Sequence, residues 1–118
     1  MAEHITKDYL NAKLIILWSF NPVTTNMGSN LPYNLARARE RGAKFICVDP
    51  RYTDSAATYD ARWIPIRPGT DAAVFAAMAY TIISEDLHDK AFIDAYTSGF
   101  DKYRDYVFGL EDGVAKTP

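Results

Sequence analysis

The chain has 118 residues, of which 48% are apolar and 24% charged, with thirteen basic against fifteen acidic side chains and a net charge of −2. This is the composition of one small globular domain with a core of its own, and it lacks the basic surplus of a nucleic-acid-binding protein. The single cysteine leaves no partner for a disulfide within the chain, and no apolar run approaches the ~20 residues of a membrane span.

Met1 to Leu10 carries charges and has no signal-peptide pattern. Lys13 to Ser19 then reads Lys-Leu-Ile-Ile-Leu-Trp-Ser. A continuous apolar run without alternation predicts a parallel strand buried on both faces. Phe20-Asn21-Pro22 ends it as a turn signal, and Thr24 to Asn30 is small and polar, hence loop. Gly28-Ser29-Asn30 leads into a helix with apolar positions Leu31, Leu35 and Ala38, Pro32 in its first turn and Gly42 as its stop. Arg37, Arg39 and Arg41 fall on its solvated face near the C-terminal end, where the dipole favours them.

Lys44 to Val48 is the second strand, with Cys47 as a buried small hydrophobe, and it completes a β-α-β unit. A helical turn is expected over Ser55 to Thr58 and a third strand over Arg62 to Ile66, whose Pro65 calls for an edge position. Trp18 and Trp63 are expected as core aromatics, and His4 and His88 as surface residues. Thr70 caps a helix from Asp71 to about Ser84, with an apolar stripe of Ala72, Phe75, Ala76, Ala79 and Ile82-Ile83. A further helix runs from Asp89 to about Thr97 and closes at Gly99. Tyr103, Tyr106, Val107 and Phe108 are expected to pack back on the domain, and Gly109 to Pro118 reads as loop.

The elements predict an α/β fold, a Rossmann-like three-layer fragment with a short parallel sheet in strand order 3-2-1 flanked by helices. Strand one is then an apolar edge, which natural proteins avoid. That conflict points to residues 1–118 being a single partial domain cut from a larger protein, able to self-associate through the strand-one edge.

Function is most legible at the strand ends, because parallel sheets bind ligands outside the carboxyl ends of their strands. Ser19 to Asn21 form the first corner, either facing a pyrophosphate or making a plain β-turn. Asp49 and Arg51 form the second. An acid there takes a ribose diol and an Arg reaches a base or phosphate, or else Asp49 is only a turn residue. Arg67, Gly69, Thr70 and Asp71 form the third. A carboxylate at Asp71 suits the N1–H and amino donors of guanine, or else complements the helix dipole. There is no G-x-G-x-x-G or P-loop motif, no Ser/His/Asp or Cys/His set, and no catalytic or metal-ligating residue to assign.

Taken together, Leu14-Ile15-Ile16-Leu17-Trp18, Asn21-Pro22, Asp49-Pro50-Arg51-Tyr52-Thr53 and Trp63 through Ala73 with its Pro-Gly-Thr-Asp turn resemble the molybdopterin oxidoreductases, and within them the catalytic subunits of dimethyl sulfoxide and selenate reductases. The resemblance covers the chain from about Leu10 onward. It implies a segment that grips one guanosine arm of bis(molybdopterin guanine dinucleotide). Asn21 would lie near the pyrophosphate, Asp49 and Arg51 on the nucleoside, and Gly69, Thr70 and Asp71 at the guanine. The family often carries glycine where Ser19 stands. It further implies a molybdenum-dependent oxidoreductase of anaerobic respiration, with the metal ligand and an iron–sulfur cluster elsewhere in the parent. Its partners would be the rest of the catalytic subunit, an iron–sulfur subunit and a membrane anchor, on the periplasmic side. The isolated segment is expected to be inactive. The alternative is a stand-alone α/β module that binds an ordinary nucleotide or a protein partner.

Overall fold

A computed structural model describes residues 6–25 and 30–118. His4 and the Gly28-Ser29 pair expected ahead of the first helix lie outside the described residues. The chain divides into two compact units, Met1–Arg67 and Pro68–Pro118.

In the first unit a 3-10 turn at Thr6–Asn11, not anticipated from the sequence, leads into β1 (Leu14–Trp18). Then come α1 (Leu31–Glu40), β2 (Lys44–Val48), α2 (Asp54–Thr58) and β3 (Arg62–Ile64). The sheet is parallel in the order β1-β2-β3, as expected. Leu14 stands opposite Lys44, Trp18 opposite Val48, and Ile46 opposite Arg62. β3 stops short of the expected Ile66 because Pro65 has no N–H to carry the ladder on.

The core lies on one face of this sheet. Ile15, Leu17, Phe45 and Cys47 point into it and meet Leu31, Leu35 and Ala38 of α1 and Ala56 of α2. Phe45 stacks on Tyr59 with ring centroids 5.0 Å apart. Each fully buried large side chain contributes about 1.5–3 kcal/mol. The other face differs from expectation: Leu14 is 49% and Ile16 46% exposed, so β1 is not buried on both sides. The reason is that α1 and α2 both pack on the Ile15/Leu17 face.

The helix ends explain the turns. Gly42 sits at φ +95° after α1. The Ala43 N–H bonds Ala38 O at 3.0 Å and the Gly42 N–H bonds Arg39 O at 2.8 Å. This is the left-handed exit that uses up two orphan carbonyls. Asp60 makes the same exit from α2 at φ +51°. At the front of α2 the Thr53 hydroxyl accepts the Ala56 N–H at 3.2 Å, a cap worth about 1 kcal/mol.

The second unit is helical: α3 (Asp71–Ser84), α4 (Lys90–Tyr96) and α5 (Phe100–Val107). Asp89 caps α4 by accepting the Phe92 N–H at 2.9 Å. α5 was not anticipated as a helix; Gly99, at φ +81°, starts it. Val107 is fully buried and Phe108 meets Tyr80 at 5.1 Å, but Tyr103 and Tyr106 stay exposed, contrary to expectation. The α3 stripe is likewise not a closed core, since Ala72, Phe75 and Ile82 are exposed. Two short helices cover too little of it.

Candidate functional site

Ser19, Asn21, Asp49 and Arg51 all follow the carboxyl ends of β1 and β2, on one edge of the first unit's sheet. The Ser19 N–H bonds Val48 O at 2.9 Å and extends the ladder by one rung, which keeps the two strand ends side by side. Ser19 itself adopts φ +46°, the left-handed region that favours glycine.

Asn21 opens a hydrogen-bonded turn, its carbonyl accepting the N–H groups of Thr24 and Thr25 at 3.1 and 2.8 Å. Its side chain is tied to α2. Asn21 Oδ1 accepts the Ser55 hydroxyl at 2.6 Å and the Ser55 N–H at 3.2 Å. Ser55 Oγ accepts the Val23 N–H at 3.0 Å. Asn21 Nδ2 donates to Thr24 Oγ1 at 3.0 Å, and the Thr24 hydroxyl donates to Asp54 Oδ2 at 3.0 Å. Ser55, completely buried, is the residue that sequence reasoning missed here. A serine in a short helix gives no signal of a partner more than thirty positions away.

At the second corner Asp49 is held on three sides. Its N–H bonds Ile64 O at 3.3 Å, its carbonyl accepts the Trp63 indole N–H at 2.8 Å, and Oδ1 accepts the Arg51 N–H at 2.9 Å. The last bond closes an Asx-type turn. It orients the carboxylate, and Oδ2 has no hydrogen bond among the described residues. Trp63 is therefore no core aromatic. It is 37% exposed and lies edge-on to the exposed Tyr52 at 5.5 Å, bracing the corner from β3. The Arg51 side chain is exposed.

Arg67 is exposed and closes the first unit; Gly69, Thr70 and Asp71 open the second. Gly69 takes φ +81°, which only glycine adopts freely. Thr70 stands at the N-cap of α3 without a side-chain capping bond, unlike the cap expected of it, and its carbonyl accepts the Val74 N–H at 3.0 Å. Asp71 is half-buried in the first turn, where the helix dipole favours a negative charge.

Elsewhere, burial pushes the Cys47 thiol above its ordinary pKa; the Thr53 contact opposes this and the Asp49 charge adds to it. The Tyr59 phenol is raised by burial alone. His88 is less exposed than expected: 14% of its side chain is accessible, and its ring lies 5.3 Å from Phe100. An apolar hollow of about 440 Å³ in the second unit, lined by Ala73, Val74, Ala77, Met78, Thr117 and Pro118, contains no titratable side chain. Among the described residues no group of three or more His, Cys, Asp and Glu could hold a metal ion, and no helix is long and apolar enough to cross a membrane.

Comparison with known proteins gives the family. The molybdopterin oxidoreductase family matches residues 2–110. The dimethyl sulfoxide reductase DmsA of Haemophilus influenzae is 45% identical over 94% of this chain and 16% of its own length. DmsA of Escherichia coli K12 is 44% identical over the same shares, 94% and 16%. Among solved structures, acetylene hydratase from Pelobacter acetylenicus superposes with a TM-score of 0.68 at 34% identity, over 81% of this chain and 13% of its own. The chain thus spans about one sixth of the curated relatives it matches. With a match running through the strands, the corners and the helices that follow them, this chain belongs to the molybdopterin oxidoreductase family.

Proposed function

We propose that this chain is the segment of a molybdenum-dependent oxidoreductase that grips one guanosine arm of a bis(molybdopterin guanine dinucleotide) cofactor. The observation that carries the reading is the common edge of β1 and β2. It presents Ser19, Asn21, Asp49 and Arg51 together, with the Asp49 carboxylate oriented by the Arg51 N–H. The residues fit a nucleotide tail: an acid for a ribose diol and an exposed guanidinium for a phosphate or base, beside a first turn fixed by its own hydrogen bonds. In the second unit, Gly69, Thr70 and Asp71, which follow Arg67 in the chain, are the residues suited to guanine, with Asp71 accepting from N1–H and the exocyclic amino group. Adenine offers no such donor pair, and sites of this kind discriminate by about 10⁴ or more.

The relatives' names speak for the same division of labour. Proteins named as a reductase and as a hydratase share this segment, which suits a part that holds a cofactor and does not choose a substrate. When bound, the cofactor supplies the metal centre for oxygen-atom transfer to or from dimethyl sulfoxide or a related oxo-substrate. This chain's residues hold the tail in register and contribute no catalytic side chain, so the segment alone is inactive. The metal ligand and an iron–sulfur cluster come from other parts of the parent. The parent works in anaerobic respiration with an iron–sulfur subunit and a membrane anchor on the periplasmic side. Alone, the segment pairs with itself through the β1 edge.

The test is the nucleotide. GDP is titrated against ADP on this chain, and molybdenum and guanine nucleotide are assayed in a catalytic subunit carrying Asp49→Ala or Asp71→Ala. Preference for GDP and lowered cofactor content are expected. Equal affinity for both nucleotides, with full cofactor content in both variants, refutes the reading.

A further inference from the structure

At the first corner the Asn21 side chain is bonded to Ser55 and Thr24. We propose that Asn21 and Ser55 form a positioning latch that fastens the turn after β1 to the start of α2, so that both strand ends meet the cofactor tail as one rigid edge. The inference rests on the nucleotide-binding reading above.

Asn21 Oδ1 is occupied twice over by Ser55, through its hydroxyl at 2.6 Å and its N–H at 3.2 Å. Asn21 Nδ2 is directed to Thr24 Oγ1 at 3.0 Å. A side chain so engaged has its oxygen and one N–H committed to the protein. Ser55 is completely buried and uses its hydroxyl in both directions, donating to Asn21 and accepting the Val23 N–H at 3.0 Å. A second link, Thr24 to Asp54 at 3.0 Å, closes the ring at the surface. Residues 21–25 are therefore bonded to residues 54–55 beyond the point where the ladder between β1 and β2 ends. Without the latch, the first turn keeps its internal bonds to the Asn21 carbonyl, the surface link from Thr24 to Asp54 and the Ser19–Val48 rung, but loses the buried bonds that fix it to α2, and the edge it forms with the end of β2 is less firmly set. A preorganised edge binds more tightly because the ordering cost is met in folding.

Ser55→Ala, Asn21→Ala, the double variant and Asp49→Ala are made in a catalytic subunit carrying this segment. Two quantities are read: the half-life of bound guanine nucleotide during dialysis, assayed as GMP after acid hydrolysis, and amide exchange over residues 21–25. Ser55→Ala and Asn21→Ala each shorten the half-life by roughly threefold to tenfold, the range for one net hydrogen bond. Both loosen the amides of residues 21–25, and the double variant is no worse than the poorer single, because the two residues act as one unit. Should Ser55→Ala not fold, Thr24→Val, on an exposed side chain, breaks the surface link and shortens the half-life in the same sense. If Asn21→Ala shortens the half-life while Ser55→Ala or Thr24→Val loosens the turn and retains cofactor as the parent does, Asn21 touches the ligand itself and the latch is overturned. Effects that multiply in the double variant overturn it as well. Loss of cofactor in Asp49→Ala alone removes this inference and leaves the nucleotide reading standing; retention in every variant removes both.

Discussion

Replacing Ser19 by glycine should stabilise the protein, and the geometry sets the size of the gain. Ser19 holds φ +46° at the end of β1. A non-glycine residue there costs about 1–2 kcal/mol, because Cβ crowds the following carbonyl. Its side chain is exposed and makes no hydrogen bond among the described residues, so nothing is lost with it. Against the relief stands the larger freedom of glycine in the unfolded chain, about 0.4–1 kcal/mol. The net expectation is a gain of about 0.5–1 kcal/mol. For a unit of this size that is a rise of about 2–8 °C in melting temperature. Ser19→Ala is the control: it keeps Cβ, keeps the crowding and should melt with the parent. The assay is thermal unfolding followed by circular dichroism, with urea titration as a second measure. A gain in Ser19→Ala equal to that in Ser19→Gly, or a loss in Ser19→Gly, refutes the backbone argument.

Other outcomes follow from the packing and the titrations. Gly42→Ala should cost about 1 kcal/mol in a urea titration: an added Cβ meets no atom within 4 Å, so the whole loss is the φ of +95°. Leu35→Ala, at a residue 1% exposed between α1 and the sheet, should cost about 2–5 kcal/mol, and a loss well below that range would contradict the one-faced core. Asp89→Ala removes the α4 cap and should cost about 1 kcal/mol, seen as faster amide exchange in residues 90–96. Stability should decline in alkali. The folded pKa values of Cys47 and Tyr59 are raised, so their contribution is complete below the unfolded values, about 8.5 and 10, and is lost as pH rises through the folded ones. The guanidinium midpoint should therefore fall from about pH 8.5 upward, and Cys47→Ala should remove the earlier part of that fall.

Much of the fold was legible because its signals are local. Apolar runs of strand length in β1 and β2, Leu31, Leu35 and Ala38 at helical spacing, and Gly42 as the stop each specify an element within ten residues. Pro65 correctly placed β3 at an edge. The errors share one cause. Burial of both β1 faces, closure of the α3 stripe and packing of Tyr103 and Tyr106 all depend on what lies opposite, which spacing does not encode. α5 was missed because its eight residues carry mostly polar side chains around Val107.

The sequence by itself determined the parallel strands, their order and the corners that follow them, because strand length, turn residues and crossover handedness are set by nearby chemistry. Only the tertiary structure decided how those corners are held. Asn21 is bound to Ser55, Asp49 is braced by Trp63, and Ser19 is forced into a glycine's conformation by the ladder to β2. These bonds join residues 14 to 34 positions apart, and a hydrogen bond needs its partner within about 3 Å in space whatever the distance along the chain.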